Sequence, residues 1–505
     1  MRIPILPFLV LLSGALFFVI PSLGTSVFLS PDETANAVAA RTFAQTGHMR
    51  VENHLLTKFP WLHPRSFVTQ GTAMVPVGFL GFPALLAIVW KMIGEWGLVL
   101  FTPLLAISTV YPLWRCSARW GRRSQIATVV TWLSFPTVIL YANRGLFANL
   151  PVVCLTLWAW ILVLEKRTPT RSVVAGLCVG FALAMRPTEA IWIVPWLGIA
   201  WMCRRDRPRH VEWRPLIFFL LSACVPIAFT MVVAWKTYGS PVTIGYFLRD
   251  PIIGMTPDAR LPTPDVIRWP FGFHPMNVLK NIWSYHIRTL GLWSAVSIAT
   301  LVVFWKKQDA RPHLLVGVWT MLVLTLMYGQ ALYQDHVGVN VVSFGNSFLR
   351  YLLPMSVFAA LATGALVTKL SNSLAVALVT ILIVSGTNLA MRGDAESVLP
   401  SRQELQRYRV IRDAAIEKLG THAIILSERS DKIFFPTFRV GSPMPGPVLN
   451  NEKVTSLFDE VADPIAVLTE TLDKQTVASS IKGAYGLEDV FQNKNQTLYV
   501  LDRLR

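Results

Sequence analysis

Long apolar runs separated by short polar linkers set the pattern of the chain. Residues 4–28 carry no charge and are long enough to cross a bilayer. Further apolar runs lie at about 97–115, 124–142, 148–164, 172–186, 188–203, 214–235, 284–305, 313–332, 350–368 and 373–391. Runs of about 18 or more such residues read as membrane-spanning helices. Residues 73–93 are also apolar but are interrupted by Pro76, Gly78, Gly81 and Pro83. That segment reads as a membrane-edge or re-entrant element that does not cross, its irregular backbone covered by protein rather than lipid. The pattern predicts an α-helical polytopic membrane protein of about eleven transmembrane helices.

The character changes after residue 391. Ser401-Arg402-Gln403-Glu404 has the form of a capping box and opens an amphipathic helix to about Leu419. Thr421–Ser427 and Ile465–Leu468 read as strands, with helices at about 451–461 and 472–483 and two last strands at 487–492 and 496–502. This alternation predicts a small C-terminal α/β domain of about 110 residues. The expected domains are therefore a transmembrane module, 1–391, carrying a first outer loop, 29–93, and a soluble extracytoplasmic domain, 392–505. The latter reads as a structural cap or as an acceptor-binding or regulatory module.

Composition agrees with a membrane protein: 53% of 505 residues are hydrophobic and 15% are charged. The formal charge of +17 does not point to nucleic acid. The basic residues gather in short linkers, such as Arg115, Arg119, Arg122 and Arg123, or Lys306, Lys307 and Arg311. There they orient the spans and meet anionic membrane lipids. The positive-inside pattern puts these linkers and the N-terminus in the cytoplasm and the C-terminal domain outside a plasma (inner) membrane. The first apolar run exceeds a signal-peptide core and reads as an uncleaved span. All five cysteines precede residue 225, in or beside apolar runs, so no disulfide framework is implied.

Candidate chemistry lies at the predicted outer edge. Asp32 and Glu33, in Ser30-Pro31-Asp32-Glu33-Thr34, are adjacent carboxylates just past the first span. Local chemistry alone makes them a helix start, with Ser30 or Asp32 as cap and Glu33 facing the positive N-terminus. A carboxylate there can also act as a general base on an acceptor hydroxyl or amine. Arg350 and Tyr351 open a later span, where a guanidinium either clamps a phosphate or anchors the interface. Arg144 and Arg186 occupy similar span ends, and Arg186 also has Glu189 one turn away. His336 and Asn149 add polar groups in later outer loops.

The order of these parts resembles the GT-C membrane glycosyltransferases, specifically the family 39-like and aminoarabinose-transferase-like branch. The residues that carry the resemblance are Ser30–Thr34 with the helix Ala35–Gly47, Ser134-Phe135-Pro136, Met185–Glu189 and Arg350–Pro354. It covers roughly residues 1–391. The resemblance implies an inverting glycosyltransferase that takes a sugar from a polyprenyl-phosphate-linked donor to a glycan, lipid or protein acceptor. It implies Asp32 as base, with Glu33 beside it, and Arg350 as a contact to the lipid phosphate. The chain departs from many relatives in lacking a Lys at Gln70-Gly71-Thr72-Ala73, which leaves Arg65 or Lys58 as candidate phosphate cations. Asn149 stands where some relatives carry an acid, which makes a divalent metal at a two-carboxylate site a less favoured option; no other cofactor is expected. The alternative is a lipid or solute transporter with a merely structural acidic pair. A transporter calls for charges near mid-membrane, and here the candidates crowd one edge.

Overall fold

The computed structural model describes residues 11, 13–165, 168–202, 213–248, 271–307, 311–333, 342–427, 429–441, 451–469, 485–492 and 497–503. The chain forms two compact units. The first comprises Met1–Gly24, Ile93–Thr230 and Pro262–Ser401; the second comprises Thr25–Met92, Met231–Leu261 and Arg402–Arg505.

The first unit is helical. Among the described residues, four helices are long and apolar enough to cross a membrane: Glu95–Trp120, Trp213–Tyr238, Arg311–Tyr328 and Asn372–Arg392. Two bent pairs raise this to six, Arg122–Leu133 with Pro136–Asn143 (51°) and Pro275–Thr289 with Gly291–Phe304 (93°). Pro136 explains the first bend, since proline at a helix start cannot continue the preceding hydrogen-bond ladder. The described part of the 4–28 run is helical only to Phe17 and gives way to a turn and the short 3-10 helix Pro21–Leu23. Other expected runs do form helices, among them Asn149–Leu164, Pro169–Met185 and Leu353–Leu366. They are shorter than a full span: 16 residues in Asn149–Leu164 rise about 24 Å, against a hydrocarbon core of about 30 Å. The chain is a multi-pass membrane protein, with fewer full-length spans by this measure than the apolar pattern suggests.

Close helix packing in this unit depends on Gly176 and Gly180, four residues apart on Pro169–Met185. A methyl group at either position would overlap Phe219 O, Ser222 Oγ or Ala223 O of the Trp213–Tyr238 helix. Small residues at this spacing let two backbones approach, the usual means of joining helices in lipid. Trp132, Trp192, Trp196 and Phe348 fill the interior.

The second unit combines the first polar segment with the C-terminal residues. Strands β1 (Val51–Glu52), β2 (Phe67–Gln70) and β3 (Ala73–Pro76) form an antiparallel sheet in the order β1-β3-β2. Gly71, at φ +65°, opens the two-residue turn between β2 and β3, where a positive φ matches the strand twist. The 73–93 segment is thus split. Residues 73–76 belong to this sheet, and Gly81–Ile93 is a helix of 13 residues, about 20 Å long and too short to cross.

A second sheet has the order β5-β4-β6-β8-β7, from β4 (Ile424–Ser427), β5 (Arg439–Gly441), β6 (Ile465–Thr469), β7 (Tyr485–Gln492) and β8 (Thr497–Arg503). β4 lies between two parallel neighbours, which explains its unbroken apolar run. The helix Val398–Leu419 buries Leu405, Tyr408, Ile411 and Ala415, one face at helical spacing. The helix expected at 472–483 lies outside the described residues.

The two sheets share one unit because the first segment packs on the C-terminal residues. Phe67 meets Phe435 edge-on at 5.3 Å, and Trp61 and Leu62 cover Gly441. Lys58 pairs with Glu460, and Arg412 Nη1 donates to Ser26 O at 2.7 Å. This grouping differs from a division at residue 392, since residues 25–92 and 402–505 bury a common interior.

Candidate active site

In the second unit, the helix Pro31–Thr46 starts as its sequence dictates. Ser30 is extended and its Oγ accepts from the Glu33 N–H at 3.2 Å, Pro31 takes the first helical position, and Gly47 ends the helix at φ +79°. The two carboxylates separate here. Glu33 is buried at the helix start, 4% exposed, whereas Asp32 faces outwards. Asp32 Oδ1 accepts a 2.7 Å hydrogen bond from Ser66 Oγ.

Ser66 is the one described non-glycine residue with a positive φ, +64°. A left-handed serine costs of order 1–3 kcal/mol and persists only where its surroundings hold it. Arg65 supplies the hold. Its backbone N–H donates to Asp431 Oδ2 at 2.7 Å, its Nε to Asp431 Oδ1 at 2.8 Å, and its Nη2 to Arg429 O. Asp431 is fully buried. Arg65, anticipated as a phosphate cation, is thus committed to a buried carboxylate, and Lys58 is paired with Glu460. Arg65 therefore helps to hold the unit together, whereas the Lys58 pair is exposed and contributes little.

In the first unit, the structure brings Arg144, Arg186, Arg350 and Tyr351 together. Asn346 caps the five-residue helix Ser347–Tyr351, accepting from Phe348 N–H at 2.9 Å, and so aims Arg350. Tyr141 Oη donates to Gly345 O at 3.3 Å, fixing the preceding turn. Arg144 ends Pro136–Asn143 and Arg186 ends Pro169–Met185, where cations oppose the negative helix terminus. Asn143 anchors the first of these ends: it accepts from Ile20 N–H at 2.9 Å and donates to Leu16 O at 2.8 Å.

The three guanidiniums alternate with aromatic rings. Arg144 lies 5.0 Å and Arg350 4.3 Å from the Phe147 ring; Arg350 and Arg186 lie 5.4 Å and 4.9 Å from the Tyr351 ring. Tyr351 in turn stacks on Tyr328, with centroids 4.1 Å apart and planes 10° from parallel. Arg186 pairs with Glu189 at 2.8 Å, as the one-turn spacing suggested, and Tyr328 Oη donates to the same carboxylate oxygen at 3.2 Å. Arg350 Nη2 donates to Ser347 Oγ at 3.1 Å. Burial raises the Tyr333 phenol well above its ordinary pKa, with Tyr351 and Tyr328 adding to the rise and Arg350 and Arg186 opposing it.

Asn149 is buried at the first turn of Asn149–Leu164. His336 lies outside the described residues. Among the described residues, no three of His, Cys, Asp and Glu gather as a metal-binding group. Sequence reasoning missed Ser66, Phe147 and Tyr328. The available signal was weak: Phe147 follows Arg144 by three residues, and Tyr328 ends a span as interfacial aromatics commonly do.

No protein-family model and no curated protein matches the sequence. Solved structures do match. One is ArnT from Cupriavidus metallidurans bound to undecaprenyl phosphate, at 13% identity and TM-score 0.58, covering 98% of this chain and 97% of that one. Another is the arabinofuranosyltransferase AftD from Mycobacteria, at 13% identity and TM-score 0.56, covering 99% of this chain and 40% of that longer one. The chain therefore shares the fold of these two structures, in keeping with the GT-C resemblance carried by its acidic first segment and its Arg350–Pro354 motif.

Proposed function

We propose that the protein is an inverting glycosyltransferase that moves a sugar from a polyprenyl-phosphate-linked donor to a glycan, lipid or protein acceptor at the outer face of the plasma membrane. In this reading the N-terminus is cytoplasmic and the C-terminal residues are extracytoplasmic. The observation that carries the proposal is the convergence of Arg144, Arg186 and Arg350 on Phe147 and Tyr351, in a chain with the ArnT fold.

Each part has a chemical task. The donor is already activated as a sugar phosphate, so catalysis reduces to making the acceptor nucleophilic and stabilising the leaving group. Asp32, exposed and oriented by Ser66, takes the proton from the acceptor O–H or N–H. The acceptor atom attacks the anomeric carbon from the face opposite the phosphate, and the carbon–oxygen bond to phosphate breaks with inversion. The departing polyprenyl phosphate carries the electron pair, and Arg350 and Arg144 stabilise its growing charge. Arg186, paired with Glu189, orients Tyr328 and Tyr351 beside them. Glu33 stays at the helix start.

The test is sugar transfer by the purified protein from an undecaprenyl-phosphate-linked donor. Asp32→Asn should lower the rate by roughly 10²–10⁴-fold, the usual contribution of a positioned base, with folding unchanged. Full activity in that variant would remove Asp32 from the role. Movement of a labelled substrate across liposomes with no glycosidic bond formed would favour the transporter alternative.

A further inference from the structure

The first unit contains a cavity of about 730 Å³ that the transferase reading does not use. It runs between the helices Gly291–Phe304, Arg311–Tyr328 and Leu353–Leu366, which contribute Ser294, Ile298, Leu301, Val318, Phe358 and Ala362 at helical spacing. Its volume lies within the range of pockets that enclose most of a small organic ligand.

The two ends differ in chemistry. Leu290, Trp293 and Leu352 make one end largely apolar, with His286, held by Thr325 at 3.0 Å, beside them. The other end carries Arg115, Arg119 and Arg171 with a single carboxylate, Glu165. Glu165 receives Arg115 Nη2 at 2.6 Å and Arg171 Nη1 at 2.7 Å. The carboxylate sits behind them: its side chain is 17% exposed, against 50% for Arg115 and 40% for Arg171. Glu165 thus positions two guanidiniums that themselves stay partly exposed. Arg119 stacks on Trp120, its guanidinium 4.4 Å from the ring centroid.

The cavity also opens sideways. Ile298, Val318 and Met321 line it and are 59%, 42% and 39% exposed. They stand on helices whose apolar surface faces lipid, so this opening meets acyl chains rather than water. A site that is mostly apolar, open to the bilayer and cationic at one end is complementary to an amphiphile with an anionic head. By the positive-inside pattern, Arg115, Arg119 and Arg171 belong to the cytoplasmic leaflet, where anionic phospholipids attract basic residues.

We propose that this cavity is a binding site for an anionic glycerophospholipid, its phosphate held by Arg115, Arg119 and Arg171 and one acyl chain lying against Ile298, Leu301 and Val318. The proposal stands independently of the transferase reading. The test is native mass spectrometry of the full-length protein, incubated with equal amounts of phosphatidylglycerol and phosphatidylcholine. The wild type should retain the anionic lipid at least tenfold over the zwitterionic one. Arg119→Gln with Arg171→Gln should bring the ratio close to one. Ala362→Phe, which fills the cavity and leaves the arginines intact, should reduce retention of phosphatidylglycerol. A wild-type ratio near one would overturn the proposal, as would a preference unchanged in both variants. Displacement of phosphatidylglycerol by undecaprenyl phosphate at equal concentration would assign the cavity to the donor instead.

Discussion

Replacing Asp431 by asparagine should release the segment that holds Ser66. The carboxylate is fully buried and receives three donors from Arg65, a residue 366 positions away in sequence. Asparagine keeps the volume but loses the charge and one acceptor oxygen. Breaking a buried ion pair costs about 3–5 kcal/mol. The Arg65 side chain is 25% exposed and regains some hydration, which favours the lower end, about 3 kcal/mol. That corresponds to an increase on the order of 100-fold in local opening. Hydrogen exchange of the solubilised protein reads this directly, through peptides covering residues 65–77. Within them Val77 N–H donates to Ser66 O at 3.0 Å, and β2 pairs with β3. The control is Glu460→Gln, which removes the exposed pair with Lys58 and should cost under about 1 kcal/mol. Exchange in the Asp431 variant within about threefold of wild type, or an equal effect from the control, would refute the view that Arg65 and Asp431 hold this segment.

Other substitutions probe the remaining parts. Ser66→Ala keeps the left-handed backbone strain and loses the donor to Asp32; Ser66→Gly loses both. Glycine should therefore be the more stable of the two by about 1 kcal/mol in thermal unfolding, with sugar transfer reduced in each. Arg350→Met should raise the donor KM by roughly 10–100-fold, the value of a charged hydrogen bond of about 1.5–3 kcal/mol, with a smaller effect on acceptor KM. Gly180→Ala should force Pro169–Met185 away from Trp213–Tyr238 and cost about 1–3 kcal/mol, measured as a lower unfolding temperature in detergent.

Much of the helical framework was legible because it depends on local signals. The Ser30 cap, the Gly47 stop and the apolar runs each act within a few residues of themselves. The strands at 424–427 and 465–469 were equally plain, since a short apolar run between polar turns has few other uses. The β2–β3 hairpin was hidden because its apolar residues merge with the helix that follows, and only Gly71 marks the turn. The site was legible in its charged residues and not in their partners. Arg186 and Glu189 lie one turn apart, so their pairing shows in the sequence. Arg65 and Asp431 are joined only through the fold of the whole second unit. Phe147 meets Arg144, three residues before it, and Arg350, which only the fold brings near. Neither Arg65 nor Lys58 distinguishes itself in the sequence from a cation that meets phosphate, and the carboxylates that face them, Asp431 and Glu460, lie far along the chain.

The division of the second unit into three separated stretches of chain bears on how the protein is made. Asp32 emerges from the ribosome early, yet Asp431, which locks the neighbouring loop, follows Arg65 by 366 residues. At about 5–20 residues per second, that interval is roughly 20–70 s. Throughout it the Pro31–Thr46 helix is present without the latch that sets Ser66 against Asp32. A nascent or prematurely terminated chain therefore carries the acidic residue but not its support, and the support is completed only when synthesis has passed Asp431.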